Sequence, residues 1–157
     1  MIHTLRDLHA RDCDSPGHAF DAPLRLIARR SVRVWFNHGR LDRVLSENAG
    51  ICPRCELLYA IDADGRQVSS NIRAGSIDPD AYGQDLSLRP YSVSLAVLGN
   101  AAFQGAFVCE PYLSQATRRP CVTVMYGVTA GQSVLGFIAA DFDPAVLDQP
   151  LSPRQAG

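Results

Sequence analysis

Two strand-pair patterns constrain this chain more than any other feature. Residues 56–62 (Glu-Leu-Leu-Tyr-Ala-Ile-Asp) and 66–71 (Arg-Gln-Val-Ser-Ser-Asn) flank Ala63-Asp64-Gly65. An Asp-Gly step between two strand-like runs marks a hairpin, because glycine takes positive φ at no steric cost. Residues 120–128 and 133–142 are longer and richer in β-branched side chains, with Thr129-Ala130-Gly131-Gln132 as the turn between them. Residues 106–110 read as a third strand, and Tyr112-Leu113-Ser114 follows it. The pattern is that of a five-stranded antiparallel sheet, and such a sheet needs cover on at least one face.

The cover is a helix. From Pro23, suited to a first-turn position, apolar residues recur at Leu24, Ile27, Ala28, Val34, Trp35, Leu41, Val44 and Leu45, with Ser31 and His38 completing the same stripe. Arg25, Arg29, Arg33, Arg40 and Arg43 lie opposite and read as a solvated face. This predicts one long helix over residues 23–46, ended near Asn48-Ala49-Gly50 by a glycine cap. Ahead of it, residues 1–20 are polar and irregular, with a short helix over residues 4–11 broken by Asp14-Ser15-Pro16-Gly17. Residues 21–148 form a single domain, and 149–157 a loose Pro-containing tail.

Composition narrows the function classes. The chain has 157 residues and a formal net charge of −1, so no global field draws it to nucleic acid or to an anionic membrane. Its 15 basic residues are all Arg, which reads as codon bias in a GC-rich, bacterial genome. No apolar run approaches the roughly 20 residues that cross a bilayer, and the N-terminus lacks the apolar core of a secretory signal. Cytoplasm is the expected location, with Met1 and the loose tail favouring a free-standing protein over an excised one.

Five cysteines are present, Cys13, Cys52, Cys55, Cys109 and Cys121, an odd number that suits a reducing compartment. Cys109 and Cys121 sit in apolar strand contexts. Cys52-Pro53-Arg54-Cys55 has the spacing of a redox pair or of half a zinc site, with an Arg able to lower a thiol pKa. It enters a strand, however, and its other candidate ligands (Cys13, His3, His9, His18 and His38) are scattered. Redox or metal chemistry at Cys52 and Cys55 therefore stands as the alternative; no metal or cofactor is expected.

Residues 73–88 form a long connection rich in Gly, Asp and Ser, of the kind that serves as a lid or binding loop. Arg89-Pro90-Tyr91 then opens a helix running to about residue 98.

The order of these motifs resembles the Cache or PDC-type extracytoplasmic sensor domains, which have a PAS-like fold. The resemblance is carried by L-Y-x-x-D-x-x-G-R at residues 58–66, R-P-Y at 89–91, Tyr112, and two long strands ending in A-x-D-F at 139–142. It covers roughly residues 24–147. It implies an α+β domain whose long N-terminal helix packs on one sheet face, while loops and a short helix cover the other and enclose a ligand pocket. It also implies signal output through parallel pairing of the helix in a homodimer, or through a partner protein.

Such a pocket needs a cation for a carboxylate, aromatic walls and an acid for an amine. Arg89 offers a planar fork that can clasp a carboxylate bidentately, Tyr91 and Tyr112 flat walls with hydroxyl donors, and Asp141 a partner for an ammonium group. In amino-acid-binding members of the family an Arg followed by aromatics, a later Tyr and a late Asp form a comparable pattern. Those members carry adjacent aromatics after the Arg, where this chain has Ser92; Tyr82 stands further upstream of Arg89 than their corresponding Tyr. The motifs of serine hydrolases, phosphate-binding loops and zinc proteases are absent from the sequence. The expectation is a non-enzymatic sensor domain for a small carboxylate or amino acid, with a ligand-free dimerisation module as a further alternative.

Overall fold

A computed structural model describes residues 18–92, 105–115 and 117–147. The expected helix over 4–11, Cys13 and the tail lie outside these residues, as does most of the helix expected over 89–98, of which Ser92 is the first helical residue.

The two longest strands, β6 (Pro120–Ala130) and β7 (Ser133–Phe142), form the hairpin the sequence predicts, with Gly131 at φ 63° in its turn. Strand β1 (Leu57–Asp62) pairs antiparallel with β7 along its whole length, from Leu57 opposite Asp141 to Asp62 opposite Gly136. Outside β1 lie β2 (Asn71–Arg73) and β3 (Ser76–Asp78), and beyond β6 lies β4 (Ala106–Val108). The order is β3-β2-β1-β7-β6-β4, with the two-residue β5 (Tyr112–Leu113) pairing the start of β6. Among the described residues the sheet has seven strands and not the expected five. The two additions are short: β3 arises inside the predicted loop 73–88, where Gly75 at φ 78° turns the chain back on β2, and β5 is the Tyr112 segment.

The second strand also differs from the 66–71 expectation. Only Gln67 bridges β1, opposite Ile61, and regular pairing resumes at Leu58 opposite Ile72. Between them the Ser69 hydroxyl takes the ladder position by accepting from Ala60 N at 2.8 Å. Serine side chains compete with main-chain partners in this way, and the strand is displaced into β2.

Alternation splits the sheet into two faces. Leu58, Ala60, Val124, Ile138, Ala140 and Phe142 face one way, into a core with Leu24, Ile27, Trp35, Leu41 and Leu45. Leu57, Tyr59, Ile61, Met125, Phe137 and Ala139 face the other, with Leu86, Tyr91 and Cys109. Both faces of the central strands are thus buried.

The helical layer is not one helix. It comprises α1 (His18–Ser31), a 3-10 turn (Val32–Val34) and α2 (His38–Asn48); Pro23 lies inside α1, which starts earlier than predicted. The break follows from Asn37, extended at φ −117° and ψ 103°, whose side chain accepts from Arg40 N at 3.0 Å and caps α2. Consecutive β-branched and aromatic residues just before it are poor helix formers. Because both helices pack on the same sheet face, the apolar stripe continues in sequence although the helix does not. A four-residue α3 (Pro144–Leu147) follows β7.

The break drops Trp35 onto the sheet over Gly136, where an added Cβ would stand 2.6 Å from Trp35 Cζ2 and 2.1 Å from Ile61 O. Gly136→Ala is expected to destabilise the fold by roughly 3 kcal/mol, the upper end of overpacking costs, and chemical denaturation monitored by Trp35 fluorescence checks it. Unchanged stability would show that Trp35 is not locked against β7.

Candidate functional site

The odd-numbered face of the sheet carries a pocket of about 50 Å³ whose walls include Tyr59, Arg89, Tyr91, Tyr112 and Asp141. That volume is a few times what one buried water requires, roughly 10–15 Å³, and suits a small polar molecule. All four residues singled out from the sequence, Arg89, Tyr91, Tyr112 and Asp141, line it.

Their convergence has separate local causes. Asp141 stands near the end of β7, opposite Leu57 on β1 and Thr123 on β6, and strand alternation turns it to the Tyr59 side. Tyr112 enters from β5, paired with Cys121. Arg89 and Tyr91 arrive on a turn in which Leu86 O accepts from Arg89 N (3.0 Å) and Arg89 O from Ser92 N (2.9 Å). The Tyr91 and Tyr112 rings meet edge to face, centroids 6.0 Å apart.

A chain of hydroxyls ends on the carboxylate. Thr123 Oγ1 donates to Asp141 Oδ1 at 2.7 Å, and Tyr59 donates to the same oxygen at 3.1 Å. With its proton committed, Thr123 Oγ1 accepts from the Tyr112 hydroxyl at 2.6 Å. The Tyr59 hydroxyl lies 3.3 Å from that of Tyr91. Burial pushes the Asp141 carboxyl up to about 6, against the pull of Thr123, Tyr59 and Cys121 hydrogen bonds and of the Arg89 charge. Burial, with the Asp141 charge adding to it, also raises the hydroxyls of Tyr59 and Tyr112, so at neutral pH they are donors and not phenolates.

Tyr59 and Thr123 are not among the pocket residues expected from the sequence. The register of β1 on β7 sets Tyr59 beside Asp141, and that of β6 on β7 sets Thr123 there. Tyr82, weighed as an upstream pocket tyrosine, instead stacks on His38 with ring centroids 3.8 Å apart. His38 Nε2 lies 3.1 Å from both Ser70 Oγ and Asp42 Oδ2, and Asp42 accepts from Ser70 N at 2.8 Å and from Ser70 Oγ at 2.6 Å. His38 thus joins a polar clasp between α2 and the segment before β2. Asp85 accepts from Ser87 N at 2.9 Å. Asp143 caps α3 by accepting from Ala145 N at 2.9 Å and pairs with Arg119 at 3.3 Å.

The Cys52–Cys55 pair lies on the other side of the sheet, packed against the helical core. A hydrogen bond with Cys52, then burial, raises the Cys55 thiol, whose Sγ donates to Leu57 O at 3.2 Å. Arg54, at φ 62°, donates to Val146 O at 3.0 Å. The thiol form is poorly suited to nucleophilic attack or metal ligation. No group of three or more His, Cys, Asp and Glu side chains suited to a metal ion occurs among the described residues. No helix there is long and apolar enough to cross a membrane.

No protein-family model and no curated protein matches the sequence. Solved structures do match in fold. An extracellular ligand-binding receptor from Desulfohalobium retbaense superposes with a TM-score of 0.62 at 11% identity, covering 80% of this chain and 22% of that one. The Bacillus subtilis YkuI protein, which has an EAL domain and was solved with c-di-GMP and calcium, gives 0.61 at 17% identity over 81% of this chain and 32% of its own. The ligand-binding domain of the Pseudomonas fluorescens chemoreceptor CtaA, in complex with L-alanine, gives 0.58 at 19% identity over 80% and 51%. The chain therefore spans about half or less of the length of these structures, and its fold is that of the Cache/PDC-type sensor domains.

Proposed function

We propose that this domain is a non-enzymatic sensor module that holds a small carboxylate or amino acid in the pocket on the odd-numbered face. One observation carries the reading: a guanidinium, Arg89, and a buried carboxyl, Asp141, line the same small tyrosine-walled pocket. Arg89 forms no salt bridge with any described residue, so its fork is free to clasp an anion bidentately. Asp141 suits an ammonium group, and Tyr91 and Tyr112 pack against what lies between. The L-alanine bound by the CtaA domain has this distribution of charge. Cytoplasm is the proposed location.

The test is a thermal-shift screen of amino acids and short carboxylates, in which a ligand at 100 times its Kd adds about 2.7 kcal/mol of stability. For a hit measured by calorimetry, Arg89→Lys is expected to weaken binding at least about tenfold, because the charge remains but the fork is lost. Equal affinity in the two proteins overturns the clamp.

Asp141 costs the fold stability. Its folded pKa of about 6 lies above the ordinary 3.8, so the folded state holds its proton more tightly than the unfolded one. Stability therefore falls as pH rises from about 4 to about 6, and the full cost persists above that. Asp141→Asn keeps the oxygen that accepts from Tyr59 and Thr123. It is expected to melt higher than the parent at pH 7.5, by up to about 3 kcal/mol at 1.36 kcal/mol per unit, with the gap closing near pH 4, while losing affinity for amines. A variant destabilised at pH 7.5 would show that the carboxylate is structural.

Output in this reading passes through a homodimer on the outer side of the helical layer, where Leu26 and Phe36 are 39% and 89% exposed. Light scattering is expected to give a mass near twice 17.1 kDa, and Phe36→Asp to lower it. A monomer at all accessible concentrations would leave output to a partner protein.

A further inference from the structure

One wall of the pocket is made of carboxamides. Gln67, Asn71 and Gln84 line it together with Arg89 and Asp141, and the main chain pins this wall. Gln67 N donates to Gln84 O, and Gly83 N to Gln67 O, each at 2.9 Å. The Gln67 side chain is equally constrained: the residue is 3% exposed, and its Nε2 donates to Ser69 O at 3.0 Å and to Asn71 Oδ1 at 2.9 Å.

These bonds consume both protons of the Gln67 amide and occupy the Asn71 carbonyl. Gln67 Oε1 and Asn71 Nδ2 are left as an adjacent acceptor and donor. Among the described residues no fully buried side-chain polar atom lacks a partner, so the Oε1 of this otherwise buried residue reaches open space. The space that Gln67 borders is the pocket. Arg89 and Asp141 are the charged residues lining it, and both are assigned to the two ends of an amino acid.

We infer that the ligand is an amino acid whose side chain ends in an uncharged hydrogen-bonding group, a carboxamide or a hydroxyl, seated against Gln67 Oε1 and Asn71 Nδ2. The inference rests on the proposed use of the pocket for an amino acid or small carboxylate. An aliphatic side chain would displace water from Oε1 and return nothing, and a site built to hydrogen-bond its ligand rejects analogues lacking the group far more strongly than an apolar pocket rejects a polar one. A charged side chain would find no counter-charge on this wall.

The experiment uses shape-matched pairs, L-threonine against L-valine and L-asparagine against L-leucine, by thermal shift and calorimetry on the full chain. The polar member of at least one pair is expected to bind at least tenfold more tightly (about 1.4 kcal/mol), and Gln67→Met to erase that preference. Asn71→Ala, at a half-buried position, tests the same wall if Gln67→Met fails to fold. Equal or tighter binding of the aliphatic members, or a preference that survives both variants, overturns the inference and leaves the sensor reading intact. Binding of acetate or another short carboxylate with none of the four amino acids does the same. No stabilisation by any amino acid or carboxylate takes down both.

Discussion

The pairing of β1 with β7 is the constraint on which the rest of the molecule depends. It joins the first strand to the last, from Leu57 opposite Asp141 to Asp62 opposite Gly136, and Glu56 N extends it by donating to Asp141 O at 2.9 Å. Because side chains alternate, a slip of one residue would turn every one of them to the opposite face. Asp141 would then enter the apolar helical core, and Phe142 would enter the pocket. The register thus fixes the apolar core and the candidate site together. The large aliphatic residues on the even positions of β1 and β7, sealed beneath Leu24, Ile27 and Leu41, hold that register in place.

The two faces spend burial differently. Under the helices it is used for close packing, with Trp35 lying against a glycine because no larger residue fits. On the other face it encloses a polar chain, Tyr112–Thr123–Asp141–Tyr59, in which desolvation of the carboxyl outweighs the donors that favour its charge. The clasp of His38, Asp42 and Ser70 ties the faces together. Ser70 precedes the pocket residue Asn71 in the chain and holds Asp42 of α2 by both its main-chain N and its hydroxyl, so the carboxamide wall is anchored directly to the helical layer.

Long segments of regular periodicity were the most legible. The β6–β7 hairpin and β1 follow from runs of strand-forming residues beside Gly-containing turns, and Arg89, Tyr91, Tyr112 and Asp141, expected from motif order, line one pocket. Two of the departures share a cause, side chains that replace main-chain partners. Ser69 bonds Ala60 N and displaces β2; Asn37 caps α2 and breaks a helix whose apolar stripe runs on without interruption. Neither bond leaves a mark in hydrophobic periodicity.

Alternation, turn chemistry and apolar spacing are local properties, so the sequence alone determined an antiparallel sheet with a helical cover, and resemblance pointed to one face as the site of a pocket. Which tyrosine touches Asp141 is a matter of register between strands far apart in the chain, and that Thr123 lies between it and Tyr112 and that Gln67 and Asn71 form a wall are matters of hairpin register and of local bends. They depend on how β1 inserts beside β7, how β5 and β7 register on β6, and how the 67–71 segment bends around Ser69. Only the folded sheet decides them, because the burial that selects one register over its neighbours exists only once both faces are covered.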